Sequence, residues 1–200
     1  MSDPTRQRIV ATHPAMTSVG VERNLRFGGS AEVPLHLDLY RPPNAKGSLS
    51  PVVVFVSGYS DPGFAKVVGC RFKEMGAYVS WAELLAANGI TAVTYENVDP
   101  PTDAQTLLDY LRDQAEQLDI DPKRMAIWAA SGNAPTALAL MDRNELTCAV
   151  VSYGYLLDLD GHTDVADAAA QFRFSNAIYA PGQVKGQEST IRVHIGPELG

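Results

Sequence analysis

Two hundred residues, 46% of them hydrophobic and 20% charged, suffice for one soluble domain with a substantial core. A net charge of −7 with no lysine/arginine cluster argues against nucleic acid and anionic membrane as partners. No apolar stretch approaches the roughly 20 residues that span a bilayer, and Met1 to Met16 lack the apolar core of a secretory signal, so the cytoplasm is the expected location.

Residues 1–18 read as a flexible arm and 19–200 as a single domain. From Leu25 the pattern is β-like, and Leu35, Leu37 and Leu39 alternate with His36, Asp38 and Tyr40 until Pro42-Pro43. Pro51 to Val56 is a continuous β-branched run, expected as a strand buried on both faces. It breaks at Ser57-Gly58-Tyr59-Ser60-Asp61-Pro62-Gly63, a stretch dense in turn residues. Residues 64–79 carry no decisive pattern. Ser80 is expected to cap a helix from Trp81 to Ala87, stopped by Asn88-Gly89.

Ile90 to Tyr95 is the next expected strand. Leu107, Leu108, Leu111, Ala115 and Leu118 then keep helical spacing after Asp99-Pro-Pro. Met125 to Ala130 is a strand, Ala134 to Met141 a helix and Leu146 to Tyr153 another buried strand. Ala166 to Phe172 is expected as a helix and Ile191 to Ile195 as a last short strand. Strands alternating with helices give an α/β fold with a mostly parallel sheet and helices on both faces. Sites in such sheets lie beyond the C-terminal strand ends. Ser57-Gly58-Tyr59, Glu96-Asn97, Ser131 and Tyr153-Gly154-Tyr155 all follow strand ends and are expected on one rim.

Arg124 to Pro135 carries the chemistry. An apolar strand ends abruptly in Ser131-Gly132-Asn133 and a helix follows at once. A serine at that apex projects its hydroxyl above the sheet, beside the Gly132 N–H at a helix N-terminus. The structural alternative is a simple helix cap. Cys70 and Cys148 form no metal-type or CxxC pattern. Cys148 sits in an apolar run and reads as buried, while Cys70 lies beside Arg71 and Lys73, charges that lower a thiol pKa. Asp158, Asp160 and Asp164 lack the spacing of a calcium loop and read as a solvated acidic loop. No metal site and no cofactor are expected.

Val52 to Tyr59, Trp128 to Asn133 and Tyr153 to Gly161 together resemble the α/β-hydrolase superfamily, specifically bacterial serine hydrolases of the dienelactone-hydrolase and esterase type, over about residues 20–180. The resemblance implies a three-layer sandwich whose last strand and helix are missing from this chain. It implies that Ser131 is the nucleophile at the elbow, read here as Ala129-Ala130-Ser131-Gly132-Asn133 where the family has Gly-x-Ser-x-Gly. Asn133 departs from that pattern. The backbone N–H groups of Gly132 and Tyr59 would hold the oxyanion. Glu198 stands at the implied acid position, and no histidine follows it. Of the four histidines, His13 reads as solvated, His36 and His194 as strand residues, and His162 as the best substitute base.

Tyr153 and Tyr155, with Phe64 and Trp81, are candidates to line an apolar substrate pocket; ordinary packing is the competing account. The expected activity is hydrolysis of a small-molecule carboxylic ester or related acyl compound. The competing expectation is a catalytically silent or truncated homologue that binds a ligand or protein through the same rim. Truncation would leave an apolar edge open to pairing, which would make the chain a homo-oligomer.

Overall fold

The computed structural model describes residues 3–175 apart from 44, 46, 144, 145, 155, 157 and 159–161. Its centre is a six-stranded sheet of β1 (Gly20–Gly29), β2 (Pro34–Arg41), β3 (Ser50–Phe55), β4 (Thr91–Tyr95), β5 (Ile120–Ala130) and β6 (Cys148–Ser152). The spatial order is β1-β2-β4-β3-β5-β6. β2 is antiparallel to both β1 and β4, whereas β4, β3, β5 and β6 run parallel to one another. Parallel pairs need crossovers, and helices supply them. α1 (Asp61–Val68) and α2 (Gly76–Ala87) link β3 to β4, α3 (Pro100–Asp113) links β4 to β5, α4 (Ala134–Arg143) links β5 to β6, and α5 (Asp164–Phe172) follows β6.

Strand alternation sorts the core into two layers. Leu37, Leu39, Val52, Val54 and Ile127 face Leu107, Leu108 and Leu111 of α3 and Leu140 of α4. Tyr40, Phe55, Ala92 and Trp128 face the other way, against Phe72 and against Ala82 and Ala86 of α2. β3 is central, between β4 and β5, which explains its unbroken β-branched run.

Two expectations need correction here. The helix expected from Trp81 begins at Gly76, and Ser80 is inside it rather than capping it. The Ser80 hydroxyl is buried and donates to Gly76 O at 2.7 Å and Ala77 O at 3.0 Å, the back-bonding by which a helix interior tolerates serine. It also accepts from Ile9 N–H at 3.0 Å, and Gly76 N–H donates to Pro4 O at 3.0 Å, so residues 3–9 run along α2. The strand around Cys148 is not buried: Cys148 itself is exposed and β6 alternates between exposed and half-buried residues. Among the described strands β6 has a neighbour on one side only, β5. Ile191 to Ile195 lies outside the described residues. Among the described residues no helix is long and apolar enough to cross a membrane.

Candidate active site

β5 delivers Ser131. The strand keeps extended geometry to Ala130 (φ −140°, ψ 150°), and Ser131 then takes a positive φ of 56°. A left-handed backbone costs a non-glycine residue about 1–2 kcal/mol. Residues 131–133 form one 3₁₀ turn and α4 begins at Ala134. The chain thus reverses from strand to helix within three residues, and the half-buried Ser131 sits at the apex. Among the described residues, none hydrogen-bonds to the Ser131 hydroxyl.

The turn after β3 lies against this apex. A Cβ on Gly58 would stand 2.5 Å from Gly132 O and 3.0 Å from the Asn133 Cα, so backbone packs on backbone and only glycine fits. Gly132 is crowded by side chains instead, since a Cβ there would collide with the Tyr59 hydroxyl and the Phe174 ring unless both moved. Three successive N–H groups of the turn are taken by three side chains. Ser57 N–H donates to Tyr95 Oη at 3.2 Å, Gly58 N–H to Asn133 Oδ1 at 2.8 Å and Tyr59 N–H to Ser57 Oγ at 3.2 Å. The Ser57 hydroxyl donates back to Tyr59 O at 2.9 Å. Burial pushes the phenols of Tyr95 and Tyr78 well above their ordinary range, so both stay neutral hydrogen-bonding groups.

The end of α5 covers the same place. Phe174 is buried and packs on Tyr59 with ring centroids 6.0 Å apart, and Ser175 N–H donates to Gly58 O at 2.7 Å. Asp158 fixes α5 by accepting from Val165 N–H at 2.7 Å and Ala166 N–H at 2.9 Å. Asp158 is therefore not part of a solvated acidic loop as expected. It is buried because two orphan donors of a helix N-terminus require an acceptor there. Asp164 is exposed and Asp160 lies outside the described residues.

Tyr153 follows β6 with φ 38° and is 83% exposed, and Gly154 packs directly on Ala134 at the start of α4. His162 is exposed just before α5, its Nδ1 3.8 Å from Asp164. His13 caps the 3₁₀ helix Pro14–Ser18, accepting from Ala15 N–H at 3.2 Å. His36 is in β2, 2.9 Å from Glu96 Oε2. Tyr155, His194 and Glu198 lie outside the described residues. Of the other pocket candidates, Phe64 packs on Tyr59 and Trp81 on Trp128.

Glu96-Asn97 reaches the rim at the end of β4 but belongs to a charged cluster. Lys73 is buried between Asp38 (3.3 Å) and Glu96 (3.2 Å), and Arg71 pairs with Glu96 and Glu74. Cys70 is not activated by its basic neighbours, contrary to expectation. Burial, and then the carboxylates of Glu74, Asp3 and Asp61, push its thiol up. Arg71 is committed to carboxylates and does not activate it.

Sequence did not single out Asn133, Tyr78, Asp158 or Phe174 as parts of the site. Only Asn133 left a signal there, as a polar residue where the pattern asks for glycine.

No protein-family model matches the chain, and no curated protein matches it. Solved structures do. An alpha/beta hydrolase enzyme from a Medee basin deep-sea metagenome library is 19% identical, with 72% of this chain and 61% of that one covered and a TM-score of 0.54. A bacterial heroin esterase is 15% identical over 76% of this chain and 50% of its own (TM-score 0.54). A thermophilic esterase from the Planctomycetes species Thermogutta terrifontis is 18% identical over 80% and 62% (TM-score 0.52). The chain thus spans about half to three-fifths of the length of the structures it matches. At these identities the likeness is one of fold, and it agrees with the mixed six-stranded sheet and its helices: the chain has the α/β-hydrolase fold.

Proposed function

We propose that the chain is a serine hydrolase of carboxylic esters or related acyl compounds, with Ser131 as its nucleophile. The observation that carries the proposal is the left-handed backbone of Ser131 (φ 56°) between β5 and α4. A helix cap does not need that conformation, since a capping residue keeps extended dihedrals. Strain kept at a serine on the C-terminal rim of a parallel sheet supports the nucleophile-elbow reading.

In this reading Ser131 Oγ attacks the acyl carbon and its proton passes to a base. The alkoxide then leaves with that proton, and water cleaves the acyl-enzyme. The Gly132 and Tyr59 N–H groups receive the developing oxyanion. Tyr59 N–H must partly leave Ser57 Oγ to do so. A 3.2 Å bond to a neutral hydroxyl is at the long end of the range, and a charged acceptor out-competes it. His162 is the proposed base, because it sits at the start of the element that covers Gly132. Glu198 is the proposed acid. Tyr153, exposed just after β6, and Tyr155 are proposed to contact the substrate. Dienelactone-type relatives and a cytoplasmic setting belong to the same proposal.

The engaged Tyr59 N–H also suits a second reading, a silent homologue that binds ligand at this rim without turnover. Hydrolysis of a short-chain p-nitrophenyl ester by the chain and by Ser131→Ala decides between the two. Loss of activity by at least about 1,000-fold in the variant, with loss of fluorophosphonate labelling, is expected. Equal background rates and no labelling in both would leave the binding reading.

A further inference from the structure

Asn133 occupies the position where a small residue is expected, and the fold spends its side chain on one contact. Its Oδ1 accepts the Gly58 N–H at 2.8 Å, and both groups are buried. Its Nδ2 faces Tyr78 Oη at 3.5 Å. A backbone N–H only donates, so the carboxamide has one orientation that serves Gly58. The turn after β3 and the turn after β5 otherwise meet through unspecific backbone packing of Gly58 on Gly132 O and the Asn133 Cα. Such packing sets how near the turns come but not how the Ser57–Gly58 peptide, which carries the Gly58 N–H, is rotated. The carboxamide bond does set that rotation and so anchors the start of the turn, while Ser175 N–H on Gly58 O and Ser57 Oγ on the Tyr59 N–H hold the next peptide from that anchor.

We infer that Asn133 is a positioning residue for the hydrolysis proposed above: it ties the turn after β3 to the turn bearing Ser131, so that the N–H groups of Tyr59 and Gly132 act on one oxyanion. The inference rests on the serine-hydrolase reading. Asn133 touches no reacting atom, and its work is done through Gly58. The Gly58 N–H is thereby withdrawn from the oxyanion, leaving Tyr59 and Gly132 as the pair. The departure from the Gly-x-Ser-x-Gly pattern is on this account a functional substitution rather than a decayed elbow.

The test uses the full chain with Asn133→Ala, which removes the acceptor, and Asn133→Asp, which keeps one. Active serines are titrated with a fluorophosphonate, and kcat and KM on a p-nitrophenyl ester are given per titrated site. Amide exchange is followed over residues 57–59. Asn133→Ala is expected to lower kcat by about 10- to 100-fold with KM within about twofold, because a misdirected donor costs transition-state binding first. Its Gly58 amide should lose protection. Asn133→Asp should restore the Gly58 protection, while kcat recovers only in part, because its carboxylate sets a negative charge near the developing oxyanion.

A merely structural asparagine would instead lower the titratable fraction and the Tm while kcat per site stayed at the parent value. That result, or unchanged Gly58 protection in Asn133→Ala, overturns the inference. If the parent chain neither hydrolyses nor labels, the serine-hydrolase reading fails and takes the oxyanion role with it. If the parent chain is active and Asn133→Ala matches it, the positioning role alone fails.

Discussion

Two buried polar regions flank the rim of the sheet, and they are built on opposite principles. Around Gly58 every partner is neutral: a carboxamide, two phenols, a serine hydroxyl and backbone N–H groups. Around Lys73 charges dominate: its ammonium meets Asp38 and Glu96 beside one neutral acceptor, Asn24 Oδ1 at 2.7 Å, and Arg71 pairs with Glu96 and Arg23 with Asp38 at 3.0 Å. The neutral region fixes the direction of N–H groups without holding a charge of its own near Ser131. The charged region ties sequence-distant pieces together, since Asp38 is in β2, Glu96 follows β4 and Lys73 lies before α2. Buried charges do this at high cost when one is removed, whereas neutral bonds tolerate loss but not misdirection.

The largest expected effect tests the neutral region. Gly58→Ala places a methyl 2.5 Å from Gly132 O, which is backbone and cannot rotate away. The turn must shift, and a shift of that size at the oxyanion donors is expected to cost about 100-fold in kcat. Stopped assays on a p-nitrophenyl ester read it. Parent-level turnover would mean the turn after β3 plays no part in catalysis.

Next is Lys73→Met in the charged region. It leaves Asp38 and Glu96 facing each other without their buried cation, and about 3–5 kcal/mol of stability should be lost. Denaturant unfolding measures that. Rates per titrated serine should remain at the parent value, since no atom of this cluster serves Ser131 in the proposed mechanism. A fall in kcat per site would merge the two regions into one.

Much of this layout is legible in the sequence. The Leu35-Leu37-Leu39 alternation, the β-branched run of β3 and the apolar spacing of α3 each report burial that the fold honours. The reversal at Ser131 is legible too, because an apolar strand and an alanine-rich helix leave it three residues. What escapes is long-range pairing. Nothing local to Asn133 announces Gly58, 75 positions earlier, and nothing local to Asp158 shows that it will close a helix six residues on rather than face water. Ser80 misleads for the same reason. Its capping preference is real, but a buried back-bond to Gly76 and a donor from Ile9 satisfy it inside α2. Cys148 misleads because apolar composition marks a strand without saying whether it lies at the edge of a sheet.

A smaller effect comes from pH. Burial disfavours the charged form of Glu96, but the His36 hydrogen bond and the Lys73 and Arg71 charges outweigh it and hold the carboxyl below its ordinary value. A depressed carboxylate stabilises the fold above its unfolded value and loses that contribution as pH falls through the folded one. Tm should therefore drop from the ordinary carboxylate range downward, and Glu96→Gln should flatten that limb. Asp61 carries the opposite sign: burial raises it, so its contribution is present at low pH and fades as pH rises. An acid limb as steep in Glu96→Gln as in the parent would assign the effect elsewhere.

The smallest expected effect bears on how the neutral region is covered. Asp158 accepts two N–H groups from the first turn of α5, and the chain beyond that helix places Phe174 on Tyr59 and Ser175 on Gly58. Asp158→Ala removes a cap worth about 1 kcal/mol. That is too little to unfold the domain but enough to loosen a nine-residue helix locally. Amide exchange over 164–172 should quicken while the core strands keep their protection. With Phe174 held less firmly over Gly132, KM should rise by a few-fold and kcat should fall less than in Asn133→Ala, since Asn133 still holds the Gly58 N–H and only the Ser175 bond to Gly58 O is loosened. If kcat fell as far as in Asn133→Ala, α5 would belong to the apparatus that aims the donors, and the neutral region would extend to the helix that lies over it.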